Sequence, residues 1–275
     1  SVAALAALVG DAAAPELVRV EAMSALAAMR APAALDALAG SLTVVVEPRL
    51  RRSLAKALGR FRGVAGVGAL ADRLVEVGDR EDSLLTAGDF FNARGALEHP
   101  GAAPVLRARM KRSSWNERLR AGCVRGMGAS GEAAAIDDVL GVLGDRTEHH
   151  LVTQAACEAA CALGSRHLIA RSRIRRALEP LLDSDRVHLR MAAASALAAL
   201  GDPDARSAIS MRMGREGFGN VRRTLRETIE TLDRSAAVTI AVAEIAKRVD
   251  DLEQAKKRLE LRLDAFEKRM DPPAT

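Results

Sequence analysis

The chain has 275 residues, 55 of them alanine, and a formal net charge of +5. Apolar residues make up 49% and aromatics only 2%, with no tyrosine. That is too much apolar surface for a disordered chain. Apolar content drawn from Ala rather than from Val, Ile and aromatics favours helix over sheet, which excludes a β-sandwich, barrel or propeller. No run of about 18 uncharged apolar residues exists, so no membrane span is expected.

Cys123, Cys157 and Cys161 do not make a disulfide framework. The chain starts at Ser1 with no charged segment ahead of an apolar one, so no signal peptide is visible. A fragment of a longer protein is the expectation, with a cytoplasmic location favoured. The positive charge is mostly Arg, 35 against 6 Lys. A GC-rich genome explains that excess better than nucleic-acid binding does.

In chain order, small-residue helices are expected near 16–29, 48–59, 82–92, 114–127, 148–163, 185–200 and 219–232. Several close alike, as in Leu50–Gly59, Leu119–Gly128, Gln154–Gly164 and Leu189–Gly201. Their final glycines are spaced by 69, 36 and 37 residues, and the first gap holds one further unit ending near Gly95. That period suits about seven stacked helix pairs. The Ala-rich second helix of each pair lies inside, where small side chains let helix axes approach. The first helix is more amphipathic: Leu35, Leu38 and Leu42; Leu70 and Leu74; Ile136, Val139, Leu140 and Leu143; Ile174, Leu178 and Leu181. Each closing glycine is expected to be a left-handed cap, and Gly201-Asp202-Pro203 to start the next helix.

Asp185-Arg186-Val187-His188-Leu189-Arg190, the Ala run after it and Leu200-Gly201-Asp202-Pro203 resemble HEAT repeats of the bacterial type related to phycobilisome-lyase repeats. The resemblance covers 1–233, strongly at 148–205 and loosely at 80–112. It implies an all-α, α-α superhelix that serves as an interaction surface.

The reading is a solenoid over 1–235, a coiled-coil helix over 236–270 and a disordered tail at 271–275. Val238, Ile245, Leu252, Leu259 and Phe266 take d positions of a heptad, and Val242, Val249, Lys256, Leu263 and Met270 take a positions. Position g holds Arg248, Arg262 and Arg269, and position e holds Glu253, Glu260 and Glu267. In a parallel pair Arg248 faces Glu253 and Arg262 faces Glu267 of the second copy, whereas an antiparallel pair sets like charges together, so a parallel homodimer is the expectation. The alternative is a helix that folds back on the last repeat or stays solvated.

No phosphate loop, dinucleotide fingerprint, nucleophile elbow or H-E-x-x-H pattern is present, so no catalytic residue, cofactor or metal is assigned. Gly63-Val64-Ala65-Gly66-Val67-Gly68 reads as an interhelix loop, since no strand precedes it. Cys157 and Cys161 share a helix face, which makes them the weak metal candidates. Cys is equally a substitute for Ala in a packed helix, and His149 and His150 fall about two helical turns away. Residues 101–130 sum to +6, 131–165 to −5 and 166–201 to +4. That alternation reads as stacking complementarity, and with Trp115 alone able to stack on a base a nucleic-acid partner is not expected. Asp89-Phe90-Phe91-Asn92 breaks the Ala pattern. It reads either as local packing repair or as a protein-contact site with Asp89, Phe90, Asn92, Arg94 and Trp115 as candidates.

The last repeat, Asn220–Glu230, followed by the charged Leu252–Leu263 coil, resembles the C-terminal region of bacterial aminopeptidase-N-type zinc metallopeptidases. The resemblance implies a non-catalytic solenoid that walls a substrate cavity and supports oligomerisation, with the upstream catalytic domain as its partner. None of that family's zinc-binding residues lies in this chain. The alternative is a self-standing scaffold for a protein or peptide partner.

Overall fold

The computed structural model describes residues 1–270; of Trp115 and of 237–244, 246, 247, 251, 255, 259 and 261–270 it describes the backbone alone. The tail expected at 271–275 lies outside the described residues. Among the described residues the fold is all-α, fourteen helices with no strand. They form seven consecutive pairs: α1 (Val2–Gly10) with α2 (Glu16–Met29), α3 (Pro32–Gly40) with α4 (Pro48–Leu58), α5 (Val67–Arg80) with α6 (Leu84–Ala96), α7 (Ala102–Arg109) with α8 (Arg118–Ser130), α9 (Ile136–Gly144) with α10 (His150–Arg166), α11 (Arg171–Leu178) with α12 (Val187–Leu200), and α13 (Arg206–Arg215) with α14 (Gly219–Met270). The even-numbered helices fall on the seven segments read as inner. Each packs on the next along the whole stack, whereas the odd-numbered helices touch one another little. A row packed more closely than its partner row lies on the inside of a curved stack, so the even helices form the concave face.

The hydrophobic interior has two parts that meet at α6. Phe90, Ala93 and Leu97 join the N-terminal cluster, which begins at Val9. Ala87 and Phe91 join the C-terminal cluster, which runs to Leu232. Two adjacent phenylalanines on one helix therefore serve two cores. Phe91 fills space that Gly78 on α5 leaves open, since a Cβ there would lie 2.8 Å from the ring.

The glycine caps differ from expectation. Only Gly201 among the four closing glycines is left-handed, with φ 67° and its N–H bonded to the Leu197 carbonyl. The Asp202 side chain then caps a single 3-10 turn, Pro203–Ala205, that leads into α13. Gly59 has φ −62°, and Gly128 and Gly164 lie inside helices. A Cβ on Gly128 would strike the Ala159 backbone, and one on Gly164 would strike Leu200. Those glycines are there for close approach, and Gly131 at φ 68° supplies the cap after α8.

α14 runs unbroken for 52 residues, from the last repeat into the segment read as coiled coil. No helix end marks 235/236; Leu232 is the last buried residue described. No described helix is long and apolar enough to cross a membrane.

Candidate functional site

An arginine ladder runs along the edge formed by the loops that lead into the inner helices. Arg19 on α2, Arg51 on α4, Arg120 on α8 and Arg190 on α12 lie in the first turn of their helices. Each pairs with a glutamate in the loop before the next inner helix: Arg19 with Glu47 at 2.8 Å, Arg51 with Glu81, Arg120 with Glu148 at 3.0 Å, and Arg190 with Glu216 at 2.8 Å. Two of these guanidinium groups also take loop carbonyls. Arg51 donates to Leu42 at 3.0 Å and Val45 at 2.8 Å; Arg190 donates to Ser184 at 2.8 Å and Asp185 at 3.3 Å. One planar fork thus ties a loop to the following repeat. At the last rung Glu216 is 5% exposed. Burial pushes its carboxyl up, but the Phe218 N–H, Arg212 and Arg190 outweigh that and lower it to about 2. The sequence reading missed these residues. Their signal is an Arg in the first turn of an Ala-rich helix with a Glu 26–30 positions later.

The same pairing resolves the basic segment. Arg107 binds Asp138, Arg109 and Arg112 bind Asp79, Arg120 binds Glu148 and Arg125 binds Glu158. Five of the seven basic side chains of 101–130 are thus directed at carboxylates of neighbouring repeats.

The proposed contact residues separate. Phe90 has no exposure and Arg94 has 3%, so neither can face a partner; this corrects both. Arg94 instead donates to the His99 and Pro100 carbonyls at 2.9 and 3.0 Å and closes the α6–α7 turn. Asp89 and Asn92 are half-buried on the concave side. Burial raises the Asp89 carboxyl, against the pull of Lys56, Arg52, Arg125 and Arg118 on the flanking inner helices. The Trp115 side chain lies outside the described residues.

Cys157 is buried and Cys161 half-buried on α10. Burial pushes the Cys157 thiol up to about 12 and raises that of Cys161. This holds both protonated, opposite to what a thiolate ligand needs. Among the described residues no group of three His, Cys, Asp or Glu side chains could hold a metal. His149 caps α10 by accepting from the Leu151 N–H. Its ring lies 4.3 Å from that of His150, which lies 4.9 Å from His188 on α12.

The concave face opens over the last three inner helices. Between α10 and α12 lies a depression of about 490 Å³, lined by Gln154, Glu158, Cys161, His188, Met191 and Ala192 among others. A second of about 340 Å³ lies between α12 and α14 and reaches Thr224, Glu227 and Thr231. Ser195 and Ala199 line both, so the two form one groove with a floor of small apolar side chains and a polar rim. Its residues recur along α12 at 188, 191, 195 and 199, the face opposite the core residues Leu189, Ala193 and Leu197. An Ala run hides that face in the sequence, because small residues look alike whether buried or exposed.

The model of the PBS lyase HEAT-like repeat matches residues 18–42 and 189–211, each falling on an inner helix and an outer one joined by a turn. The complex of CpcE and CpcF of phycocyanin lyase from Nostoc sp. PCC7120 has a similar fold, with a TM-score of 0.52 and 19% identity over 84% of this chain and 94% of that one. The chain has an all-α, HEAT-like fold, and two of its segments match the repeat model. Human deoxyhypusine hydroxylase in complex with glycerol is also similar, at 16% identity over 85% of this chain and 96% of that one, with a TM-score of 0.43. No curated protein sequence matches the chain.

Proposed function

We propose that this HEAT-repeat stack is a binding scaffold without a catalytic step of its own. In this reading the concave groove across α10, α12 and α14 holds a segment of a partner protein. The observation that carries it is the groove itself: a small-residue floor shared by two adjoining depressions, with Glu158 and Glu227 on its rim. A floor of this kind accepts apolar side chains while the rim orients polar ones. The similar fold in the CpcE–CpcF complex, an assembly of two proteins, supports a protein partner. The test replaces Ser195, exposed at the centre of the groove, by Trp. A partner recovered with the natural chain should be lost with S195W while the melting temperature is kept. Recovery of the same partner by both would refute the groove as its seat.

The finer partner reading is a parallel homodimer through 236–270. Ile245, Val249 and Leu252 support it: they are 60, 48 and 69% exposed on the single chain, on the face where the heptad puts its seam. Lys256, also on that seam, is exposed and lies 3.6 Å from Glu260 of its own helix. The side chains of Val242, Leu259, Leu263 and Phe266 lie outside the described residues. Light scattering at tens of micromolar should give twice the chain mass, and a monomer mass would sink the dimer. The finer reading of the parent, an aminopeptidase-N-type metallopeptidase whose cavity this solenoid walls, rests on the resemblance of the last repeat and coil alone. An H-E-x-x-H pattern upstream in the same polypeptide would support it.

A further inference from the structure

The arginine ladder lacks a rung at two of its six steps. The fourth residue of α2, α4 and α12 is Arg19, Arg51 and Arg190, and Arg120 is the third of α8. The fourth residue of α6 is Ala87 and that of α10 is Thr153. These two gaps are treated differently. Between α6 and α8 the helices close up until Gly88 and Gly122 touch backbone to backbone, with no space for a Cβ on either. Between α10 and α12 they do not. A cavity of about 770 Å³ opens there, between the loop before α10 and the end of α11 with the loop before α12.

Thr153 lies against this cavity, with its hydroxyl turned back to the His149 carbonyl at 3.4 Å. Asp185, two residues before α12, stands where Glu148 stands before α10. Glu148 is taken by Arg120 and Asp183 by Arg212, but the exposed Asp185 carboxylate has no ion pair among the described residues. Leu143, Pro180, Leu181 and Leu189 give the cavity apolar walls. Its volume lies in the range of ligand sites and exceeds what one side chain fills.

We propose that this cavity receives an arginine-bearing segment of a partner protein, whose guanidinium supplies the missing rung. The chain shows twice, at Arg51 and Arg190, which group fits such a place: a planar fork that takes a carboxylate and loop carbonyls together, which a lysine ammonium cannot reproduce. Here the carboxylate is Asp185 and the carbonyls are those of the loop before α10. The room left over takes the arginine's neighbour in the segment, seated on Pro180 and Leu181. Of the four carboxylates on the lining, Glu148 and Asp183 are already paired, and Arg146, Arg176 and Arg186 stand beside Asp145 and Asp185, so little negative charge is left over for a polybasic run. The fitting segment has a single arginine between apolar residues. This site lies on the loop edge, apart from the concave groove, and S195W leaves it intact.

The test uses the full chain and blocked acetyl-Leu-Arg-Leu-amide, followed by backbone amide shifts. Saturable shifts confined to 143–153 and 176–189 are expected, with the citrulline twin binding at least about tenfold more weakly. Asp185→Asn should weaken binding by about the same factor. Thr153→Arg should abolish it and raise the melting temperature, because the chain then provides its own rung. No saturation by about 10 mM, a millimolar ligand being the weakest that counts, would overturn the proposal. Equal binding of the citrulline twin would overturn it too, as would a Thr153→Arg chain that still binds.

Discussion

Glu216→Gln is the sharpest probe of the ladder. Glu216 accepts from Arg190 at 2.8 and 3.2 Å, from Arg212 at 2.9 Å and from the Phe218 N–H at 3.0 Å. Its side chain is 1% exposed and that of Arg190 is 5%. Gln keeps the shape and removes the charge, which leaves Arg190 buried without a counter-ion. Removing one partner of a buried pair costs about 3–5 kcal/mol. Linkage gives an independent figure: a carboxyl lowered from 4.5 to about 2 stabilises the fold by about 3 kcal/mol. A loss of about 2–3 kcal/mol is therefore expected in urea unfolding at pH 7, allowing for solvent at the loop edge.

The sign with pH follows from the direction of the shift. The folded carboxyl is the stronger acid, so its contribution is complete above the ordinary 4.5 and is lost as pH falls toward about 2. The gap between the natural chain and E216Q should hold from pH 7 to about 5 and narrow below that. The control is Glu47→Gln, at a rung whose carboxylate is 46% exposed, and its effect should be much smaller. If E216Q unfolds no more easily than E47Q, the buried rung does not stabilise the C-terminal repeats as argued.

Gly122→Ala should destabilise by about 2–4 kcal/mol, because overpacking here meets the Gly88 backbone and not a movable side chain. Gly141→Ala, where a Cβ meets nothing within 4 Å, should instead stabilise α9 by about 0.5–1 kcal/mol; thermal melts of the two variants must move in opposite directions. Phe91→Ala empties a fully buried site and should cost about 3–5 kcal/mol by urea titration. In native alkylation at pH 8, Cys161 should react first, with Cys123 and Cys157 held back by burial that pushes both thiols up to about 12. Equal rates for all three would contradict the packing of α8 and α10.

The repeats were readable because one physical demand, an inner helix of small residues, recurs with every pair. Asp89-Phe90-Phe91-Asn92 interrupts that demand and was open to two meanings. Phe90 and Phe91 turn out to fill two cores that meet at α6, while Asp89 and Asn92 keep to the concave side. Single-sequence periodicity shows that a residue is out of pattern, not which neighbour it serves. The closing glycines misled for a related reason. A glycine after an apolar run is the same letter whether it caps a helix or admits a neighbouring backbone, and three-dimensional packing alone separates Gly201 from Gly128 and Gly164. The ladder was hidden because its partners lie 26–30 residues apart and on different helices.

Glycine placement also explains why the groove lies where it does. α6 and α8 carry Gly88, Gly95, Gly122 and Gly126, and each faces a backbone across the interface. Gly128 continues the contact to α10 at Ala159. α12 has no glycine between Val187 and Leu200, only alanines and one serine among its small residues. Every small residue of α12 carries a Cβ, and the one glycine of α10, Gly164, admits the Leu200 side chain and no neighbouring backbone. The two concave depressions and the edge cavity all lie beside α12. The change from Gly to Ala along the inner row thus turns a closed stack into one with receptive gaps. The same gradient accounts for the two missing rungs: the one flanked by glycines is sealed, and the one flanked by alanines stays open.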